Sequence, residues 1–196
     1  MNPLSSQPAS RTIHLKASNS MAGLKSEIAQ ERPFSTPHEE TLLNILRTAD
    51  CLQRAFNRRV REWNITGTQY NVLRILRGAH PNGLTCSAIG DRMLTAVPDI
   101  TRLLARLKAL GLVEQNRDPR DRRVVWTRIS DSGLHLLRQM DPVIQAIPVE
   151  LLSQFTPDEI ATFTQFLERA RAHCGDTAQP VSCEIHAPDP ASTKGS

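Results

Sequence analysis

Two groups of arginines carry the chemistry this sequence can offer. Arg117, Arg120, Arg122 and Arg123 fall within NRDPRDRRVVW, residues 116–126, interleaved with Asp118 and Asp121 around Pro119. Arg102 and Arg106 stand four residues apart in ITRLLARLKAL. A guanidinium is planar and permanently charged, and its fork of donors matches a phosphate or the O6/N7 edge of guanine. Four-residue spacing stacks Arg102 above Arg106 on one helix face. The plain alternative is a solvated hairpin, its arginines paired with Asp118 and Asp121, beside a solvated helix face.

Other chemistry finds little support. His38, His80, His135, His173 and His186 are scattered, without metal-ligand spacing and without a nucleophile and acid arranged beside them. The sequence therefore offers no catalytic residue, no metal site and no cofactor motif, and it reads as a non-enzyme. Cys51, Cys86, Cys174 and Cys183 lie far apart without CxxC spacing, which in a reducing compartment reads as free thiols. Cys86, beside a helix start, is the better redox-sensor candidate of these, against the default of idle or buried thiols.

The elements that must position the arginines follow from periodicity. Residues 38–63 repeat Leu42, Ile45, Ala49, Leu52, Phe56, Val60 and Trp63 at helical spacing. Thr66 and Gln69 form a capping box ahead of Tyr70, Leu73 and Leu76, and HPNG at 80–83 is a turn. Thr85 caps a short helix predicted through Met93, with Ile89 and Met93 facing inward. Pro98 and Asp99 mark the first turn of the next helix, which buries Ile100, Leu103, Leu104 and Leu107 and ends at Gly111. Strand-like runs at Leu112–Gln115 and Val124–Ile129 flank the arginine loop. Helix, turn, helix, strand, charged loop, strand is the order of a winged helix.

Beyond the wing, Ser130 caps a helix that Pro142 and Pro148 are predicted to kink or split. Thr156, Pro157 and Glu159 open the last helix, whose stripe is Ile160, Phe163, Phe166, Leu167 and Ala170. A small winged unit cannot cover the apolar faces at both ends of this core. A homodimer built from the first and last helices, through Leu42, Ile45, Leu46, Ile160, Phe163 and Leu167, is the expectation.

Length and composition agree with one such domain. The chain has 196 residues, 39% hydrophobic, and a net charge of +4, which is too small to imply a polyanionic partner by itself. Residues 1–36 are predicted to be a flexible N-terminal tail and 174–196 a disordered, Pro-rich C-terminal one. Met21 is a second plausible start. No apolar run approaches a membrane span and no secretory signal is visible, so a cytoplasmic protein without a membrane partner is expected.

The run GLTCSAIGDRMLTAVPDITRLLARLKALGLVEQNRDPRDRRVVWTRIS resembles the MarR family of bacterial winged-helix transcription regulators. The similar features are LT before the helix pair, PDITRLL…RL in its second helix, GLV entering the wing, DPRDRR at its tip, and S-x-x-G opening the next helix. The resemblance covers about residues 38–172. It implies a mainly α fold with a small β-wing: helix-turn-helix at about 84–110, wing at about 112–129, and dimerisation helices at about 38–64 and 130–172, within a domain at 37–173. It also implies a homodimer that binds pseudo-palindromic operator DNA, usually as a repressor, relieved in many members by small aromatic or phenolic ligands and in others by thiol oxidation. Where the family often has Asp in the second helix, as in LLDRL, this chain has Ala105. In relatives that Asp can pair with a wing arginine. Here wing placement is left to local pairs such as Asp121 with Arg122 or Arg123, or to DNA.

On this reading the helix from Val97 to Leu110 enters the major groove. Val97, Pro98, Asp99, Thr101, Arg102 and Arg106 are its outward candidates, with Arg102 placed to read guanine and Asp99 a first-turn stabiliser. Thr85 and Ser87 would hold a phosphate at the preceding helix start, alongside capping by Thr85. Arg120 is the choice for insertion into a narrow minor groove, while Arg117, Arg122 and Arg123 grip phosphates. An inducer cleft would lie near Phe56, Trp63 and Tyr70, aromatics that serve equally well as core. The other readings kept open are a winged helix turned to protein interaction and a thiol-based redox-sensing regulator.

Overall fold

The computed structural model describes residues 23–174. It resolves into two units, Met1–Ala49 and Asp50–Ser196. The expectations for residues 1–22 and 175–196 lie outside the described residues.

In the first unit, α1 (Leu24–Glu27) is a single turn with Leu24 buried, followed by the start of α2 (Pro37–Val60). This corrects the predicted tail over 1–36: burial of Leu24 and an Arg47–Glu27 ion pair of 3.6 Å hold residues 24–27 in a defined turn. Thr36 Oγ1 accepts the Glu39 N–H at 3.1 Å, and Glu39 Oε2 accepts the Ser35 N–H at 2.7 Å. Two otherwise orphan donors at the start of α2 are thereby satisfied.

The second unit takes up the C-terminal half of α2. Its last turn tightens into a 3-10 segment, Arg61–Trp63, and Asn64 ends it in the left-handed region. The predicted capping box then starts α3 (Gly67–Gly78), with Thr66 and Gln69 reciprocally bonded. A two-residue strand β1 (Leu84–Thr85) precedes α4 (Cys86–Gly90) and α5 (Ile100–Ala109). α4 is shorter than predicted, because Asp91 and Arg92 turn the chain and leave Met93 half-buried against the core. The wing is β2 (Val113–Arg117) and β3 (Val125–Ile129), then come α6 (Asp131–Leu151) and α7 (Pro157–Ala172).

The sheet is antiparallel in the order β1-β3-β2, with Leu84 opposite Thr127 and Asn116 opposite Trp126. β1 is too short to be read from alternation, yet it fastens the helix pair to the wing. Gly83 permits this pairing: its φ is +78°, and a Cβ there would sit 2.5 Å from the Thr127 carbonyl oxygen. The S-x-x-G signature has a similar physical cause. Ser130 Oγ accepts from the Gly133 N–H and donates to the Gly111 carbonyl, while any Cβ on Gly133 would meet the Leu112 carbonyl and Ile129.

Leu73 and Leu76 of α3, Ile89 of α4, Leu104 and Leu107 of α5, and Leu137 and Met140 of α6 are fully buried together. Arg77 donates to both carboxylate oxygens of Asp141 at 2.9 Å, fixing α3 against α6. The predicted split of α6 does not occur. Pro142 and Pro148 each remove one backbone donor, but the helix runs unbroken through both, anchored by buried Leu137, Met140 and Ile147.

Candidate nucleic-acid interface

α5 is the element that presents Arg102 and Arg106. Its buried face is Ile100, Leu104 and Leu107, with Leu103 half-buried, so Thr101, Arg102, Ala105 and Arg106 stand on the exposed side. The helix begins at Ile100, later than the predicted Val97. Asp99 is its N-cap rather than a first-turn residue, with Oδ1 accepting the Arg102 N–H at 2.8 Å. Pro98 is exposed just before the cap. Val97 departs from its predicted outward placement: it is half-buried and packs against the core, as an apolar residue in a loop closing over α4 and α5 would.

Thr85 caps α4 as predicted, its Oγ1 accepting the Ala88 N–H at 3.3 Å and lying 3.2 Å from Ser87 Oγ. Ser87 is exposed and Thr85 half-buried. Thr101 Oγ1 lies 3.9 Å from Cys86 Sγ, which draws α4 and α5 together at their starts. Cys86 is disulfide-bonded, contrary to the expectation of free thiols, whereas Cys51 and Cys174 are free and exposed.

The wing tip is organised by its two aspartates, though not through the predicted ion pairs. Asp118 Oδ1 accepts the backbone N–H groups of Arg120 at 2.8 Å and Asp121 at 3.2 Å. Its Oδ2 accepts the indole N–H of Trp126 at 2.9 Å. Asp121 Oδ1 accepts the Arg123 N–H at 3.0 Å. Bonding by Trp126, and then by the two backbone N–H groups, holds the Asp118 carboxyl below the usual aspartate range. The carboxylates prefer backbone donors because the turn places those N–H groups within reach at no side-chain entropy cost.

With the aspartates so engaged, the guanidinium groups of Arg117, Arg120, Arg122 and Arg123 are left over. All four are exposed, as are Arg102 and Arg106. Among the described residues these six side chains make no ion pair or hydrogen bond within the chain. Arg59 pairs with Glu150 at 2.6 Å and Arg54 with Asp50 at 2.7 Å, but Arg58, Arg61, Arg92 and Arg138 also make no ion pair or hydrogen bond among the described residues, so what sets the six apart is their grouping on α5 and at the wing tip. Lys108, which the sequence reading did not single out, is also exposed near the C-terminal end of α5, where a cation suits the helix dipole.

The other sequence candidates separate into distinct places. Phe56 and Tyr70 pack with ring centroids 5.6 Å apart, and burial raises the Tyr70 hydroxyl above its ordinary range against the pull of Arg77 and Arg74. Trp63 is not with them. It lines an open cavity of about 340 Å³ with Leu110, Leu112, His135, Leu136 and Gln139 among others. In the first unit Leu42 and Leu46 are each 58% exposed and Ile45 is half-buried. On α7, Phe163 and Phe166 are exposed, Ile160 and Leu167 half-buried, and no residue is fully buried. Among the described residues no helix is long and apolar enough to cross a membrane, and no cluster of metal-ligating side chains occurs.

A two-stranded wing joined through a three-stranded sheet to a helix pair, with unpaired arginines on the second helix and at the wing tip, defines a winged helix-turn-helix protein. Comparison with known proteins names the family. The MarR family profile matches residues 63–124. The HTH-type transcriptional regulator TtmR of Methylorubrum extorquens (strain PA1) is 30% identical over 135 residues, spanning 63% of this chain and 68% of that protein. The crystal structure of a MarR transcription factor from Planctomyces limnophilus is 33% identical, with a TM-score of 0.55 over 70% of this chain and 99% of that one. A cysteine-to-serine mutant of MarR from Escherichia coli, solved in complex with operator DNA, is 26% identical, with a TM-score of 0.59 over 75% and 97% of the two chains. The chain belongs to the MarR family of winged-helix transcriptional regulators.

Proposed function

We propose that this regulator binds double-stranded, pseudo-palindromic operator DNA as a homodimer and represses transcription there. The observation that carries the reading is the set of six unpaired arginines, Arg102 and Arg106 on α5 and Arg117, Arg120, Arg122 and Arg123 on the wing. Unpaired surface guanidinium groups are available to phosphates without first breaking a protein contact. In this reading α5 lies in the major groove with Arg102 toward a base edge, Thr85, Ser87 and the remaining arginines meet backbone, and Arg120 enters the minor groove. The operator complex of the 26%-identical E. coli relative supports the same partner. Pro98, Asp99 and Thr101 shape the helix start rather than read sequence.

The uncovered apolar residues of α7, and separately Leu42 and Leu46 in the first unit, support self-association. A cytoplasmic regulator rather than an enzyme is part of the same proposal, supported by relatives that are transcriptional regulators. Relief by a small aromatic or phenolic ligand is the finer part of the proposal. The Trp63-lined cavity supports it, being of ligand size and bordered by Leu110 and Leu112, which flank the joint between α5 and the wing. A protein-interaction module is the competing reading; it too could use exposed arginines, but only against an acidic partner, whereas a helix and a wing tip carrying them together suit a duplex.

The test is a gel shift of the full-length protein on DNA flanking its own gene, with random-DNA competition across a range of salt. A specific shift that weakens steeply with salt is the expected result. No specific shift at any salt, with or without phenolic compounds, would favour the interaction module.

A further inference from the structure

We infer that Trp126 and Asp118 form a latch that sets the wing in its DNA-ready shape from within the hairpin. The inference rests on the DNA-binding reading and adds a positioning pair to it.

Ala105 stands on the exposed face of the helix, between the turns that carry Arg102 and Arg106, and offers no acceptor to any wing arginine. Among the described residues nothing else on α5 bonds the wing tip. The tip must therefore be held from inside. β2 and β3 stop pairing at Arg117 and Val125, and the seven residues 118–124 close the hairpin. A loop of that length has many conformers unless something selects one.

Two kinds of contact make the selection. The first is local: the Asp118 N–H donates to the Val124 carbonyl at 2.9 Å, and Asp118 Oδ1 collects the N–H groups of Arg120 and Asp121. The second reaches across the sheet. Trp126 lies opposite Asn116, so Asp118 is its diagonal neighbour one step toward the tip, within range of a long aromatic side chain. The indole N–H takes the second carboxylate oxygen at 2.9 Å. One carboxylate thus ties the turn to a half-buried side chain rooted in β3, the central strand. Neither partner projects a cation, so the latch orients the arginines without occupying them. It acts by raising the fraction of protein whose wing is already in binding shape, and apparent affinity scales with that fraction.

Three full-length proteins test this: wild type, Trp126→Phe, which keeps an aromatic ring but loses the indole N–H donor and some of its bulk, and Asp118→Asn, which has one carbonyl oxygen to serve three donors. The first readout needs no DNA. Limited trypsin digestion should nick both variants after the wing arginines several-fold faster than wild type, at unchanged thermal midpoint. The second uses a duplex that wild type selects from a randomised library. Trp126→Phe should bind it about tenfold more weakly with the same slope of log Kd against log salt, because no phosphate contact is lost. Equal nicking rates, or a reduced salt slope marking Trp126 as a direct backbone contact, would overturn the latch. Faster nicking with undiminished binding would overturn its role in recognition. Failure of wild type to select any duplex refutes the DNA reading instead, and the digestion still decides the latch.

Discussion

Asp99 separates two roles that one carboxylate can play at the start of a recognition helix. Its Oδ1 accepts the Arg102 N–H at 2.8 Å, so it caps a helix of only 10 residues. Replacing an N-cap Asp by Ala costs about 1 kcal/mol, whereas Asn caps about equally well. For a chain of this size that is a fall of about 2–4 °C in thermal midpoint for Asp99→Ala and almost none for Asp99→Asn. The charge has the opposite effect on binding. A carboxylate about 6 Å from a phosphate in water-like surroundings is repelled by about 0.7 kcal/mol, or about threefold in Kd. Asp99→Asn should therefore bind DNA about threefold more tightly at low salt, with the gain fading as salt rises. Asp99→Ala removes the same charge but frays the first turn that carries Arg102, so its affinity should fall below that of Asp99→Asn. Differential scanning fluorimetry and fluorescence anisotropy on one selected duplex measure both effects. If Asp99→Ala melts like wild type, the cap is not holding α5. If Asp99→Asn weakens binding and relaxes preference at a single base pair, Asp99 reads that base and its assignment here is wrong.

Other perturbations test separate parts of the account. Arg120→Ala, which withdraws a charge from the minor groove, should weaken binding and lower the salt slope by about 1, while Arg102→Ala should cost about 1–3 kcal/mol and relax preference at one position; neither should alter the melting curve, since neither side chain has a partner to lose. Gly83→Ala meets a backbone carbonyl that cannot retreat and must adopt a φ of +78°, so a loss of at least about 2 kcal/mol in urea unfolding is expected. Phe163→Glu places a charge on the exposed face of α7, and sedimentation should show a shift toward monomer if that face self-associates.

What could be read in the sequence was whatever depends on neighbours within a few residues. The Thr66–Gln69 and Thr156–Glu159 boxes and the Thr85 cap are signals of three-residue span, and each appears as predicted. The arginines of α5 and the wing were legible for the same reason, since charge at helical spacing or in a tight loop stays on the surface. What escaped depends on register and packing. The partner of Asp118 lies eight residues away, and only the pairing of Asn116 with Trp126 brings it within reach. Asp121 with Arg122 looked an obvious ion pair, yet the turn offered a backbone N–H first. Val97 is expected outward as the first residue of the helix, but the helix starts only at Ile100 and Val97 lies half-buried in the preceding loop. Phe56, Trp63 and Tyr70 are expected to share one aromatic cleft, yet the ring contact is Phe56 with Tyr70, while Trp63 lines the cavity beside Leu110 and His135.

The central claim is that α5 and the wing together address duplex DNA in two symmetric copies. Hydroxyl-radical footprinting of the full-length protein on a duplex it has itself selected tests this most directly. The account predicts two protected patches with centres about 10 base pairs apart, each flanked by minor-groove protection that disappears in Arg120→Ala while the central patches remain. A single unpaired patch, or flanking protection that survives the loss of Arg120, would contradict it.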